Sequence, residues 1–325
     1  MVLEVGGVAN ELFGKLNFCP PRSRYNRRMP NTHPIHARPF LKWAGGKGRL
    51  LAQYERFFPH KPMRGYYEPF VGSGAVFFHL RPRELFSHYR LSDSNAELIT
   101  CYRVVRDELD ALLTHLAEHQ ARHSKAHYYD VRAWDRDPAW AETPEVKRAA
   151  RLIYLNKTCY NGLWRVNSRG QFNVPMGRYR NPPILDEPRL RAASAALQGV
   201  ELAVADFGDI LGRAGNGDFV YFDPPYHPLS ATANFTAYSG DGFGEEAQRR
   251  LARVFAALAE RGAWVLLSNS DTPFVRALYG AFRIQAVQAR RAINAAAHKR
   301  GAVGEVLVLS LPTRPPRAAP SCATC

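Results

Sequence analysis

Short apolar runs alternating with helix-patterned stretches constrain this chain more than any other feature. Tyr66–Phe70, Tyr89–Ser92, Glu201–Ala205, Phe219–Phe222 and Trp264–Ser268 are four or five residues each and rich in β-prone side chains. Between them the pattern turns helical. A short helix is predicted over 75–80 and a long one from Asn95. Another is predicted over 245–260, where Leu251, Val254, Phe255 and Leu258 share one face. Ile284–Val287 and Val306–Leu309 can close the sheet. Parallel pairing needs a crossover between strands, and helices supply it, so the expected fold is α/β, a doubly wound and mainly parallel sheet of Rossmann-like type.

One stretch breaks this rhythm. YNGLWRVNSRGQFNVPMGRYR, residues 160–180, holds two short β-prone runs around Ser168-Arg169-Gly170 and reads as a hairpin. It sits in a mostly helical insertion expected over 96–198, which leaves 38–95 and 199–311 as the sheet-bearing domain. Residues 1–37, rich in Pro, Arg and Asn, read as a disordered basic arm, and 312–325 as a flexible tail. Met29 stands just before the first structured segment and is a candidate start.

The net charge is +15, and its distribution is segregated. Lys147–Leu185 carries eight Lys or Arg with no Asp or Glu, and Pro20–Pro39 carries five Arg with no acid. Such segregation points to a polyanion, with nucleic acid first. The acid-free hairpin, with Arg165, Arg169, Arg178 and Tyr179, reads as a DNA-facing surface. No apolar run approaches the roughly 18 residues of a membrane span, and the first 20 residues lack a secretory pattern. Five scattered cysteines suit a reducing cytosol, and the lone Cys322/Cys325 pair lacks the second pair that a zinc site needs.

EPFVGSG, residues 68–74, follows a predicted strand and opens a helix, the place where glycines let backbone approach a ligand. The third glycine of a dinucleotide fingerprint is replaced by Phe77, which disfavours an oxidoreductase. Asp93, 19 residues past Gly74 at the next strand end, is placed to accept ribose hydroxyls. The combination suits a nucleoside without a pyrophosphate, and S-adenosylmethionine is such a ligand. In FLKWAGGK, residues 40–47, the Trp43 indole can lie against a sulfonium or adenine and Lys47 can pair with a carboxylate. YFDPPY, residues 221–226, ends a strand on a carboxylate, two prolines and an aromatic ring, a rigid floor for a pocket.

Together FLKWAGGK, YEPFVGSG, LSDSN and YFDPPYHPLSATANFTAY resemble the DNA adenine N6-methyltransferases of the GATC-modifying type. Their order along the chain resembles the family's α arrangement, and YNGLWRVNSRGQFNVPMGRY resembles its recognition hairpin. The likeness runs from about Arg38 to Ser310. It implies an S-adenosylmethionine-dependent enzyme acting on double-stranded DNA, cytoplasmic and bacterial or phage-encoded, with no metal or membrane and no obligatory oligomer. Implied cofactor contacts are Trp43, Lys47, Phe70, Gly72, Gly74, Asp93, Asp206, Phe207 and Asp223. Asp223, Pro224, Pro225 and Tyr226 would be catalytic. Lys42, Asn161, Leu163, Arg165, Pro175 and Tyr179 would contact the recognition sequence, so Arg165→Ala is expected mainly to relax sequence choice. Methylation of another amine, cytosine N4 or an RNA base, and an inactive DNA-binding homologue are the alternatives. RRAINAAAHKRGAVGE, residues 290–305, departs from the family pattern, keeping Arg291, Ile293, Arg300 and Glu305 around alanines and His298.

Overall fold

The computed structural model describes residues 36–228, 243–290 and 302–310. The expectations for the N-terminal arm, the C-terminal tail and the altered 291–301 segment fall almost wholly outside these residues. Seven strands form one sheet: β1 (Met63–Glu68), β2 (Phe86–Asp93), β3 (Val200–Val204), β4 (Asp218–Phe222), β5 (Trp264–Ser270), β6 (Arg283–Arg290) and β7 (Ala302–Leu309). They lie in the order β3-β2-β1-β4-β5-β7-β6. β1 to β5 pair in parallel, whereas β7 inserts antiparallel between β5 and β6. The sheet is thus mainly parallel, with a reversed pair at one edge.

Side chains along the central strands alternate between two cores, as the two-residue pleat requires. Tyr66, Phe219, Tyr221, Leu266, Leu307 and Leu309 face one cluster, and Tyr67, Val220, Phe222, Leu267, Val306 and Val308 face the other. Helices α2 (Ala75–Leu80) and α3 (Ala96–Asp107) cover the first face. α8 (Glu245–Glu260) and α9 (Pro273–Leu278) cover the second, with Leu251, Val254, Phe255 and Leu258 of α8 buried as their spacing predicts. α3 starts one residue after Asn95, whose side chain caps it by accepting the Leu98 N–H at 3.1 Å. Several strand bounds need correction: β2, β6 and β7 are longer than expected, β3 stops at Val204 and not Ala205, and β1 begins at Met63 and stops at Glu68, not Phe70, because Pro69 has no N–H to continue the ladder.

α1 (Leu51–Tyr54) precedes the sheet. α4 (Leu109–Ala121), α5 (Lys125–Ala133), α6 (Glu145–Thr158) and α7 (Glu187–Leu197) pack with α3 into a helical layer. Between α6 and α7 the 160–180 segment does fold back on itself. Val166 bridges Phe172 and Cys159 bridges Met176, both antiparallel, around a turn closed by Gly170 N–H to the Asn167 carbonyl at 2.9 Å. The pairing stays at isolated bridges and never becomes a ladder. Side chains from the helical layer hold it instead. Asp135 Oδ2 accepts the Phe172 N–H at 2.8 Å, Arg136 donates to the Phe172 carbonyl at 2.6 Å, and the buried Arg151 pairs with Asp135 at 2.7 Å.

The sheet order also places the site. β1 leads outward to β2 and β3, and β4 leads the other way to β5, so strand order reverses between β1 and β4. In an open parallel sheet, ligands bind beyond the carboxyl ends of strands at such a reversal. EPFVGSG leaves the end of β1 and DPPY leaves the end of β4.

Candidate active site

The glycine loop is laced to the end of β2. Val71 N–H reaches the Ser92 carbonyl at 3.0 Å, and Gly72 N–H reaches Asp93 Oδ2 at 3.3 Å. Asp93 Oδ1 accepts the Asn95 N–H at 3.0 Å. Burial pushes the Asp93 carboxyl up against the pull of these backbone donors. Gly72 and Gly74 both lie in the left-handed region, at φ +47° and +66°. A Cβ on Gly72 would meet Trp43 Cδ1 at 2.9 Å, and one on Gly74 would meet the Tyr102 hydroxyl at 2.8 Å. Glycine is therefore required at both by conformation and by space.

Trp43 packs over that loop, with its indole stacked on Trp164 of the hairpin segment at 6.1 Å between ring centroids and 19° between planes. On the other side Phe70 stacks on Phe207 at 5.4 Å, and Phe243 meets both edge-on. Asp206 caps the turn after β3 by accepting the Gly208 N–H at 2.7 Å, and it forms a two-pronged ion pair with Arg250. The Arg250 pair is one of the contacts that hold its pKa below the usual carboxylate value, although burial opposes it.

Asp223 stands one residue beyond β4, where two donors converge on one oxygen. Lys47 Nζ lies 2.8 Å from Oδ1, and Ser268 Oγ, fully buried on β5, donates to Oδ1 at 2.8 Å. The Tyr221 hydroxyl lies 3.0 Å from Ser268 Oγ. Lys47, itself buried, also donates to the Gly45 carbonyl at 2.5 Å and lies over the Tyr226 ring at 4.6 Å. Among the described residues no donor reaches Asp223 Oδ2 or the Pro224 carbonyl. The Tyr226 hydroxyl donates to Glu305 Oε2 at 3.1 Å, and Tyr54 donates to the same oxygen at 3.1 Å. Beneath this layer Glu68 is buried, accepts the Tyr66 hydroxyl at 2.7 Å, and is pushed up to about 8 by that burial.

Lys42, expected at the recognition surface, is fastened to the end of α6. Asn156 accepts its N–H at 2.8 Å and donates to its carbonyl at 2.7 Å, and its ammonium lies over the Tyr179 ring at 4.6 Å. Arg165 is exposed, with Nε on Asn173 Oδ1 at 2.7 Å. Asn161 is exposed in the left-handed region at φ 55°, and the exposed Pro175 gives its carbonyl to Tyr160 N–H at 2.9 Å. Leu163 is half-buried against the core. Asp223 and Tyr226 are thus gathered with Lys47, and Trp43 with Gly72, while Lys42 and Tyr179 meet each other.

Several residues at the site escaped the sequence reading. Ser268, Asn156 and Trp164 meet their partners across long stretches of chain, Glu68 bonds Tyr66 two residues away, and Glu305 stands in the sequence only as part of the family pattern with no partner assigned. For Ser268 the trace in the sequence is a polar run, Ser268-Asn269-Ser270, at the end of an apolar strand. Tyr160, at 53% exposure, is the most exposed large apolar side chain among the described residues and was also passed over.

This mostly parallel seven-stranded sheet, with a DPPY loop at its strand reversal, is consistent with a methyltransferase fold. The D12 class N6 adenine-specific DNA methyltransferase profile matches residues 43–293. A type II methyltransferase of Lactococcus lactis subsp. cremoris, M1.LlaDCHI, is 43% identical over 84% of this chain and 95% of its own length. M.MjaIII of Methanocaldococcus jannaschii, also a type II methyltransferase, is 42% identical over 85% of this chain and 100% of its own. The DNA adenine methylase of Escherichia coli K12 is 38% identical over 85% and 96%. The chain belongs to the D12 class of N6 adenine-specific DNA methyltransferases. It is an adenine-specific enzyme with DNA as substrate, which sets aside the cytosine, RNA and inactive readings. Among the described residues no helix is long and apolar enough to cross a membrane.

Proposed function

We propose that the enzyme methylates adenine N6 in GATC, on a base extruded from the duplex, with Asp223, Pro224 and Tyr226 acting directly on it. The observation that carries this is the pair of acceptors, Asp223 Oδ2 and the Pro224 carbonyl, that no donor reaches among the described residues, at the strand reversal beside the Tyr226 ring. Adenine N6 is a weak nucleophile because its lone pair is delocalised into the ring. Two acceptors aimed at its two N–H bonds favour a pyramidal nitrogen with a localised lone pair. Lys47 and Ser268 engage only Oδ1, so they orient the carboxylate and leave Oδ2 for the amine. Proline at 224 contributes an acceptor and no competing donor. Tyr226 offers its face to a base extruded at a cost of a few kcal/mol.

Enzymes of the D12 class use S-adenosylmethionine, and the residues present suit it. Glycines at 72 and 74 let the loop turn closely under Trp43, Asp93 stands beside it with its carboxylate bonded to the Gly72 and Asn95 N–H groups, and the Phe70–Phe207 pair offers an apolar face. When bound, it supplies an electrophilic methyl group on a sulfonium. Phe70, Phe207 and Asp93 would hold its nucleoside, and Trp43, Lys47, Gly72, Gly74, Asp206 and Asp223 complete the proposed set. Positioning and electrostatics then carry the reaction, without a covalent enzyme intermediate.

The recognition set of Lys42, Asn161, Leu163, Arg165, Pro175 and Tyr179 supports GATC through the hairpin resemblance, on a module proposed to span 96–198. The test is a set of duplexes carrying GATC or each single-base variant, incubated with labelled S-adenosylmethionine. Label confined to the adenine of GATC is expected. Equal label in the variants overturns the sequence assignment, and full activity of Asp223→Ala overturns the site.

A further inference from the structure

The peptides on either side of Tyr226 are gripped from outside the loop. Gln248, fully buried on α8, donates Nε2–H to the Pro225 carbonyl at 2.8 Å. Its Oε1 accepts from Asn269 Nδ2 at 3.0 Å, and Asn269, fully buried on β5, accepts the His227 N–H at Oδ1 at 3.1 Å. The orientation of both amides is forced. A proline carbonyl only accepts and a backbone N–H only donates, so each amide turns one end to the loop and the remaining ends meet each other. The Pro225 carbonyl belongs to the peptide before Tyr226, and the His227 N–H to the peptide after it. Fixing both planar units fixes φ and ψ at Tyr226. Glu305 holds the far end of the same side chain through its hydroxyl.

This hold is not the ordinary one for a loop. A strand ladder cannot supply it, since Pro224 and Pro225 have no N–H. Two fully buried amides are costly unless every group is paired, and here the pairing runs straight through the catalytic motif. We propose that Gln248 and Asn269 are positioning residues, an amide pair that sets the angle of the Tyr226 ring for stacking the extruded adenine. The inference rests on the reading of Tyr226 as the stacking face.

The test uses the full-length enzyme and a GATC duplex with 2-aminopurine in place of the target adenine, whose fluorescence is quenched by stacking on an aromatic ring. Gln248→Met and Asn269→Leu are each expected to lower kcat about 10- to 100-fold, as a small misplacement of a reacting group does. KM for DNA and for S-adenosylmethionine should stay within about threefold. Bound 2-aminopurine should become brighter than with the parent, and the double variant should be no worse than the poorer single one. Gln248→Asn, which keeps the amide one methylene short, serves if the larger changes prevent folding, with the same brightening expected. Unchanged kcat and fluorescence in folded variants overturns the proposal. So does a loss of kcat with fluorescence unchanged, which marks a merely structural role. Tyr226→Ala separates the two levels: full turnover in that variant sinks the stacking reading itself.

Discussion

Asp223 is an ordinary carboxylate made specific by what surrounds it. Among the described residues Lys47 and Ser268 both bond to Oδ1, and Ser268 is the neutral one of the two. Removing a hydrogen bond to a charged group costs roughly 1.5–3 kcal/mol, so Ser268→Ala should lower kcat by about tenfold or more with KM little changed, read by steady-state methylation. Unaltered kcat would show that Lys47 alone sets the rotamer. Glu68 offers a different test. Its carboxyl is pushed up to about 8 by burial, from an ordinary value of 4.5. The folded state therefore holds that proton more tightly than the unfolded chain, and stability falls as pH rises between those two values. Glu68→Gln, which cannot ionise, should match the parent in Tm at pH 4.5 and exceed it at pH 9. Parallel Tm curves for the two proteins would contradict the raised value.

The hairpin that carries Arg165 has only isolated bridges of its own, so its position depends on its neighbours. Asp135 and Arg136 hold the N–H and the carbonyl of Phe172, and Arg151 anchors Asp135 from α6. Asn173, the next residue, receives Arg165 Nε. If Arg165 reads a guanine in two-pronged fashion, its loss should remove about 1–3 kcal/mol of discrimination. Arg136→Ala lies two steps back along the same chain of contacts. It should cost about 1 kcal/mol of stability and lower the ratio of kcat/KM for GATC over single-base variants several-fold, less than Arg165→Ala does. A ratio unchanged by Arg136→Ala would show that the hairpin keeps its place without this clamp. The element's weak self-pairing is offset by side chains from α6 and the turn after α5.

For the whole molecule, the +15 charge is a statement about salt. Each phosphate neutralised contributes about 0.9 to the slope of log affinity against log salt. Removing residues 1–28 deletes Arg22, Arg24, Arg27 and Arg28. If those arginines meet phosphates, the slope measured by equilibrium binding should fall by up to about 3.6. An identical slope would place the arm off the DNA. The sheet contributes at this level through topology. Reversal of strand order between β1 and β4 brings two segments some 150 residues apart to one rim, a distance no local pattern spans.

Chain-local chemistry is legible in the sequence by itself. The α2 and α8 bounds, the Asn95 cap, the glycines at 72 and 74 and the DPPY motif all depend on neighbours a few residues away, and the periodicity and turn chemistry of those neighbours are written in order along the chain. The apolar pattern runs two residues past the end of β1 because apolar character outlasts the ladder, which Pro69 stops. What packing alone decided was which partner each polar group finds. Lys47 was expected to pair with a carboxylate, and packing supplies Asp223 as that partner, while Ser268, Gln248, Asn269 and Glu305 find theirs only when three elements close around one loop. A buried hydrogen bond is satisfied by whatever the fold brings within about 3 Å, and proximity of that kind comes from the sheet order, which is a property of the assembled sheet and not of any segment in it.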